Sequence, residues 1–148
     1  PFVRDHGSAA SRLLLRVLLA RPWGAAVWRG YYGSLFGERR PADHDEHVSR
    51  ALALLRRPGR WRAFQATTRT SHAPAEAALS EVSAATLVIM GDRDRDFPDP
   101  EAEAGWVADA LRGRYRMIAG AGHYPMAEQA DAALAAMLPF LTPEANHG

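Results

Sequence analysis

Thr86-Leu-Val-Ile-Met90-Gly91-Asp-Arg-Asp94-Arg-Asp-Phe-Pro98-Asp99 and, further on, Tyr115-Arg-Met-Ile-Ala119-Gly120-Ala-Gly-His123-Tyr-Pro125-Met126 decide the fold. Thr86–Met90 is a short run of β-branched and long apolar residues closed by a glycine. Such a run fits a strand buried on both faces of a parallel sheet. Four acids follow: Asp92, Asp94, Asp96 and Asp99. Ala104, Val107, Ala108 and Leu111 then recur at helical spacing within Glu101–Leu111. Tyr115–Ala119 reads as a second strand, and the glycine-rich loop after it carries a single histidine. A last helix presents Ala130, Leu134, Met137, Leu138 and Leu141 on one face. Two parallel strands joined through a helix form a right-handed crossover. The acidic loop and the histidine loop therefore leave the same carboxyl edge of the sheet, where open α/β sheets hold their ligands.

The 148 residues carry a formal net charge of +1, so charge gives no reason to expect nucleic acid or an acidic membrane as partner. All 18 basic residues are arginine, which reads as a compositional bias rather than a functional signal. There is no cysteine, which excludes disulfides and thiolate chemistry. No signal peptide is visible, and no apolar run reaches the roughly 18 residues of a membrane span. Cytoplasmic location is the expectation.

The residues before the first strand read as helices only. Asp5-His6-Gly7 fits either a loop at the ligand edge or a solvated turn. Ser8 is placed to cap a helix running to Ala20. Leu13, Leu14, Leu15, Val17, Leu18 and Leu19 make that helix apolar nearly all round, so it needs cover on more than one side. Pro22 suits the first turn of a second helix. Trp23, Val27, Tyr31 and Leu35 step along one side of it, Trp28 and Tyr32 along the next, and Gly37 ends it. Glu38–Pro41 reads as a polar linker.

Asp43 with Glu46 makes a capping-box pattern for a third helix, whose apolar stripe is Val48, Ala51, Leu52 and Leu55. Capping accounts for the acids around His44 and His47, and no further ligand cluster is near, so no metal is expected there. Pro58-Gly59 breaks the chain before a fourth helix, Arg60–Thr70, with Trp61, Phe64 and Thr68 on one face. A short helix over Ala75–Val82 follows, and Pro143 onward reads as a frayed tail.

Leu87–Asp94 resembles the strand-Gly-x-x-Asp acid loop of the α/β-hydrolase family, and Gly120–Pro125 is similar to its histidine loop. The family orders its triad nucleophile, acid, histidine, and this chain carries the second and third in that order. The resemblance implies an α/β fold in which residues 83–148 are the C-terminal βαβα part of the hydrolase core. Residues 1–82 would then be the all-helical cap or lid. It implies Asp94 as the acid, with Asp96 in reserve, and His123 as general base.

The family's Gly-x-Ser-x-Gly elbow does not occur in these residues; Gly33-Ser34-Leu-Phe-Gly37 has the wrong spacing. On this resemblance the nucleophile and the N-terminal half of the sheet lie upstream of Pro1, and the chain alone is expected to be inactive. Trp23, Trp28, Tyr31, Tyr32, Trp61 and Phe64 would line an apolar substrate pocket. The implied function is serine esterase-like hydrolysis of a small hydrophobic ester, without metal or organic cofactor. An aspartate nucleophile would point instead to dehalogenase- or epoxide-type chemistry. The partners expected are that substrate and the missing hydrolase half, with neither nucleic acid nor membrane. The alternative is a non-catalytic hydrolase-like domain that binds a protein or membrane surface through its apolar N-terminal helices.

Overall fold

The computed structural model describes residues 9–142. The Asp5-His6-Gly7 loop, the Ser8 cap and the tail from Pro143 lie outside the described residues. The chain is of the mixed α/β class, eight helices with one small parallel sheet among the described residues. It divides into two compact units.

The first unit is residues 1–34 and 42–77. Its helices are α1 (Ala9–Leu18), α2 (Gly24–Ser34), α3 (His44–Leu55), α4 (Arg60–Thr67) and, at its end, α5 (Ala73–Ala78), followed by a 3-10 turn over Leu79–Glu81. Helix α2 starts at Gly24, so Pro22 precedes it instead of sitting in its first turn. Asp43 does stand at the N-cap of α3, but its side chain makes no capping bond. The expected capping box is not formed: at φ −91° and ψ 7° the residue lacks the extended backbone of a capping residue.

Leu19 is buried, and its carbonyl accepts from Trp61 Nε1 at 3.1 Å and from Gln65 Nε2 at 2.9 Å. That carbonyl follows the end of α1, so α4 side chains satisfy one of the orphan groups a helix terminus leaves. The greasy face of α1 is another matter. Leu13, Leu14, Leu15, Val17 and Leu18 all remain exposed.

The second unit is residues 35–41 and 78–148. Strand β1 (Leu87–Gly91) pairs in parallel with β2 (Arg114–Ile118), in register from Leu87 opposite Arg114 to Gly91 opposite Ile118. Helix α6 (Pro100–Ala110) connects them and packs on both strands, with Ala104 and Ala108 buried. Its start is well specified: Asp99 is the N-cap, its side chain accepting from Ala102 N at 2.9 Å, and Pro100 opens the first turn. One of the four acids of the loop is thereby a structural cap.

Helices α7 (Pro125–Glu128) and α8 (Ala130–Leu141) complete this unit. Here two expectations are corrected. The Leu87–Met90 run is only partly buried; the described sheet has two strands, so each is an edge strand. The apolar stripe on α8 faces outward: Leu134, Met137, Leu138 and Leu141 are exposed, and the buried position is Ala133. A small residue at the contact lets the helix backbone lie close to the strands it packs on. No described helix is long and apolar enough to cross a membrane.

Candidate active site

Because β1 and β2 are parallel and end together at Gly91 and Ile118, the loops that follow them start side by side. The backbone then locks the two loops together. Asp92 N donates to Ile118 O at 3.2 Å and Arg93 N to Ala121 O at 2.8 Å. Asp92 Oδ1 accepts from Gly120 N at 2.7 Å. Gly91 is required for this approach, since a Cβ there would collide with the Ala121 and Gly122 carbonyls.

This brings Asp94 to His123. Oδ2 of Asp94 lies 2.8 Å from Nδ1 of His123. The other carboxylate oxygen, Oδ1, accepts from Asp96 N at 3.0 Å. Asp94 is 4% exposed. Both its oxygens are therefore engaged, which removes its rotational freedom. Asp96 is the more distant acid, with Oδ2 3.6 Å from the same Nδ1. Of the two acids weighed from sequence, Asp94 makes the hydrogen bond. Asp92 faces the histidine loop's backbone and Asp99 caps α6.

The bond to Asp94 raises the His123 pKa above its ordinary 6.5; burial opposes the rise, and the charges of Asp94 and Asp96 add to it. With Nδ1 donating to a carboxylate, the neutral ring has its lone pair at Nε2, the tautomer a general base needs. The side chain is 22% exposed, and among the described residues nothing hydrogen-bonds Nε2. Asp94, Asp96 and His123 also offer one potential metal-ligand atom each, all within 4.8 Å of one another.

Three further groups hold the histidine loop, and sequence reasoning passed over them. His123 N donates to Leu35 O at 2.8 Å, and Glu38 N donates to Gly120 O at 2.8 Å. Residues 35–38 thus run beside the loop, although their sequence reads as a helix end and a linker. Gly122 permits this, because a Cβ there would strike the Leu35 carbonyl. Glu128 is the third. It is 7% exposed, and its carboxylate accepts from three backbone N–H groups: Gly37 at 2.7 Å, Gly122 at 2.9 Å and Tyr124 at 3.1 Å. A signal for it existed, since an acid in the first turn of a helix opened by proline is placed to meet backbone N–H groups.

The six aromatic residues proposed for substrate belong to the first unit. Four form one cluster. Trp28 stacks on Tyr32 with ring centroids 5.2 Å apart and meets Phe64 edge-on at 6.4 Å; Trp61 lies 5.5 Å from Phe64. Tyr32 also stacks on His44 and His47. Trp61 is buried as part of the unit's own core. Trp23 and Tyr31 are each 50% exposed, and Trp23 Nε1 donates to Val17 O.

No protein-family model, curated protein or solved structure matches the chain.

Proposed function

We propose that Asp94 and His123 are the acid–base pair of an α/β-hydrolase, acting on a small hydrophobic ester by a serine esterase-like route. The supporting observation is the 2.8 Å contact between Asp94 Oδ2 and His123 Nδ1 at the shared edge of two parallel strands. On this reading residues 1–82 correspond to the family's helical cap region and residues 83–148 to its C-terminal core segment, and the clustered aromatics of the first unit supply an apolar substrate surface.

In such a mechanism His123 Nε2 takes the proton of the attacking hydroxyl as its oxygen bonds to the ester carbonyl carbon. The proton then passes to the leaving alkoxide as the carbonyl–oxygen bond breaks. Water repeats the sequence: Nε2 takes its proton, its oxygen attacks the acyl group, and the proton returns to the nucleophile. Asp94 keeps Nδ1 protonated and stabilises the imidazolium in both half-reactions.

The nucleophile belongs to polypeptide outside these residues, because no Gly-x-Ser-x-Gly sequence occurs among them. Reading the coding sequence upstream of Pro1 tests this: a strand followed by a nucleophile elbow is expected, and an upstream frame without one contradicts the proposal. An aspartate at the elbow would redirect the chemistry to dehalogenase or epoxide hydrolysis. The 148 residues alone should give no turnover of a chromogenic ester; turnover abolished by His123→Ala would overturn the assignment of the nucleophile to another segment.

The exposed Leu13, Leu14, Leu15, Val17 and Leu18 of α1 support a second reading, a non-catalytic domain that docks on a protein or membrane surface. Binding to phosphatidylcholine vesicles at physiological salt, lost in Leu14→Gln/Leu18→Gln, would favour it. Absence of binding would remove its membrane form.

A further inference from the structure

Glu128 has no place in the chemistry above, yet it is one of only three buried polar or charged residues among those described, with Asp94 and Glu103. A carboxylate is withdrawn from water at considerable cost unless its oxygens are hydrogen-bonded. Glu128 meets that condition through main-chain groups alone. Oε2 receives Gly37 N and Gly122 N, and Oε1 receives Tyr124 N. Two of these donors, Gly122 and Tyr124, flank His123. The third belongs to residues 35–38, the same short segment whose Leu35 carbonyl receives His123 N. One side chain therefore ties both neighbours of the histidine to the strip of backbone that holds the histidine's own N–H. Hydrogen bonds to an ionised acceptor are the stronger kind, and here they converge on the one loop residue whose ring must stay in register with Asp94.

We infer that Glu128 is a positioning residue, whose carboxylate gathers the Gly37, Gly122 and Tyr124 N–H groups and so fixes the His123 imidazole against Asp94. The inference rests on the acid–base reading of the pair, and it adds a third carboxylate that acts without touching the ring. Glu128 differs from Asp92, which braces the same loop from the acid side through Gly120 N alone.

The test is the His123 titration in the 148-residue chain, followed by NMR on the imidazole ring nitrogens, together with the Nδ1–H resonance that reports the bond to Asp94. Far-UV circular dichroism verifies the fold of each variant. In Glu128→Ala the His123 pKa is expected to fall back toward 6.5 and the Nδ1–H signal to broaden or vanish, while the helical signal persists. Glu128→Gln retains a single acceptor oxygen, so it should give a smaller fall, and it serves if the alanine variant does not fold. A folded Glu128→Gln or Glu128→Ala protein whose His123 titrates as in the parent, with the Nδ1–H signal intact, overturns the inference. Asp94→Asn separates the two levels. If it too leaves the titration unchanged, the acid–base pair itself is wrong; if it lowers the pKa while the Glu128 variants do not, only the role of Glu128 fails.

Discussion

His123 presents Nδ1 to Asp94 at 2.8 Å and to Asp96 at 3.6 Å. The nearer acid is buried and has its second oxygen fixed by the Asp96 backbone N–H. The difference in distance separates a hydrogen bond from a charge standing nearby.

Under the proposed function the two acids differ in catalytic weight. In a chain supplied with the nucleophile segment that the proposed function requires, Asp94→Asn should lower kcat on the order of 10³-fold or more, since an amide opposite Nδ1 favours the wrong tautomer. Asp96→Asn should cost less than about 10-fold, the scale of one lost peripheral charge. Equal losses would mean that the two share the role.

The raised His123 pKa also couples folding to pH. A histidine that gains a carboxylate partner on folding contributes stability that is full below its unfolded value, near 6.5, and disappears as pH rises through the higher folded value. Urea unfolding of the parent and of His123→Gln should therefore diverge at pH 5.5 and converge at pH 9. A difference between the two that is the same at both pH values would contradict the shift.

Glu128→Ala should destabilise the second unit by ~3 kcal/mol, because it leaves main-chain donors without their acceptor in a largely buried place. The cost should appear in the urea midpoint with the slope unchanged. A change under about 0.5 kcal/mol would mean that water replaces the carboxylate freely.

The outward face of α8 gives the opposite expectation. Leu138→Gln should change stability by less than about 0.5 kcal/mol, as exposed substitutions do. Ala133→Leu on the inner side should cost ~2 kcal/mol through overpacking. If Leu138→Gln proved the costlier of the two, that face would be covered in solution.

The strands, the crossover helix and the acid–histidine contact were legible because each has a local signature: a β-branched run closed by glycine, an apolar period, and loops that parallel pairing forces together. Asp99 shows how position qualifies composition. It is one of the four acids that follow β1, but its place before Pro100 makes it a cap. The α8 stripe misled, because periodicity reports that a face is apolar and not which partner covers it. Ala133, the residue that does pack, is one of five alanines in that helix, and nothing in its identity singles it out. Residues 35–38 were illegible for a different reason. They hold the histidine loop through main-chain groups, Leu35 O and Glu38 N, which most residue types at positions 35 and 38 would supply equally. The Asp43 cap failed because pattern alone does not set the backbone angles that capping requires.

The pairing of Asp94 with His123 is tested most directly by titrating His123 in the parent chain, in Asp94→Asn and in Asp96→Asn, with His123→Gln used to assign its signals among the six histidines. The parent pKa should lie above 6.5, with a clear fall in Asp94→Asn and a smaller one in Asp96→Asn. A parent value at or below 6.5 that Asp94→Asn leaves where it was would contradict the pairing.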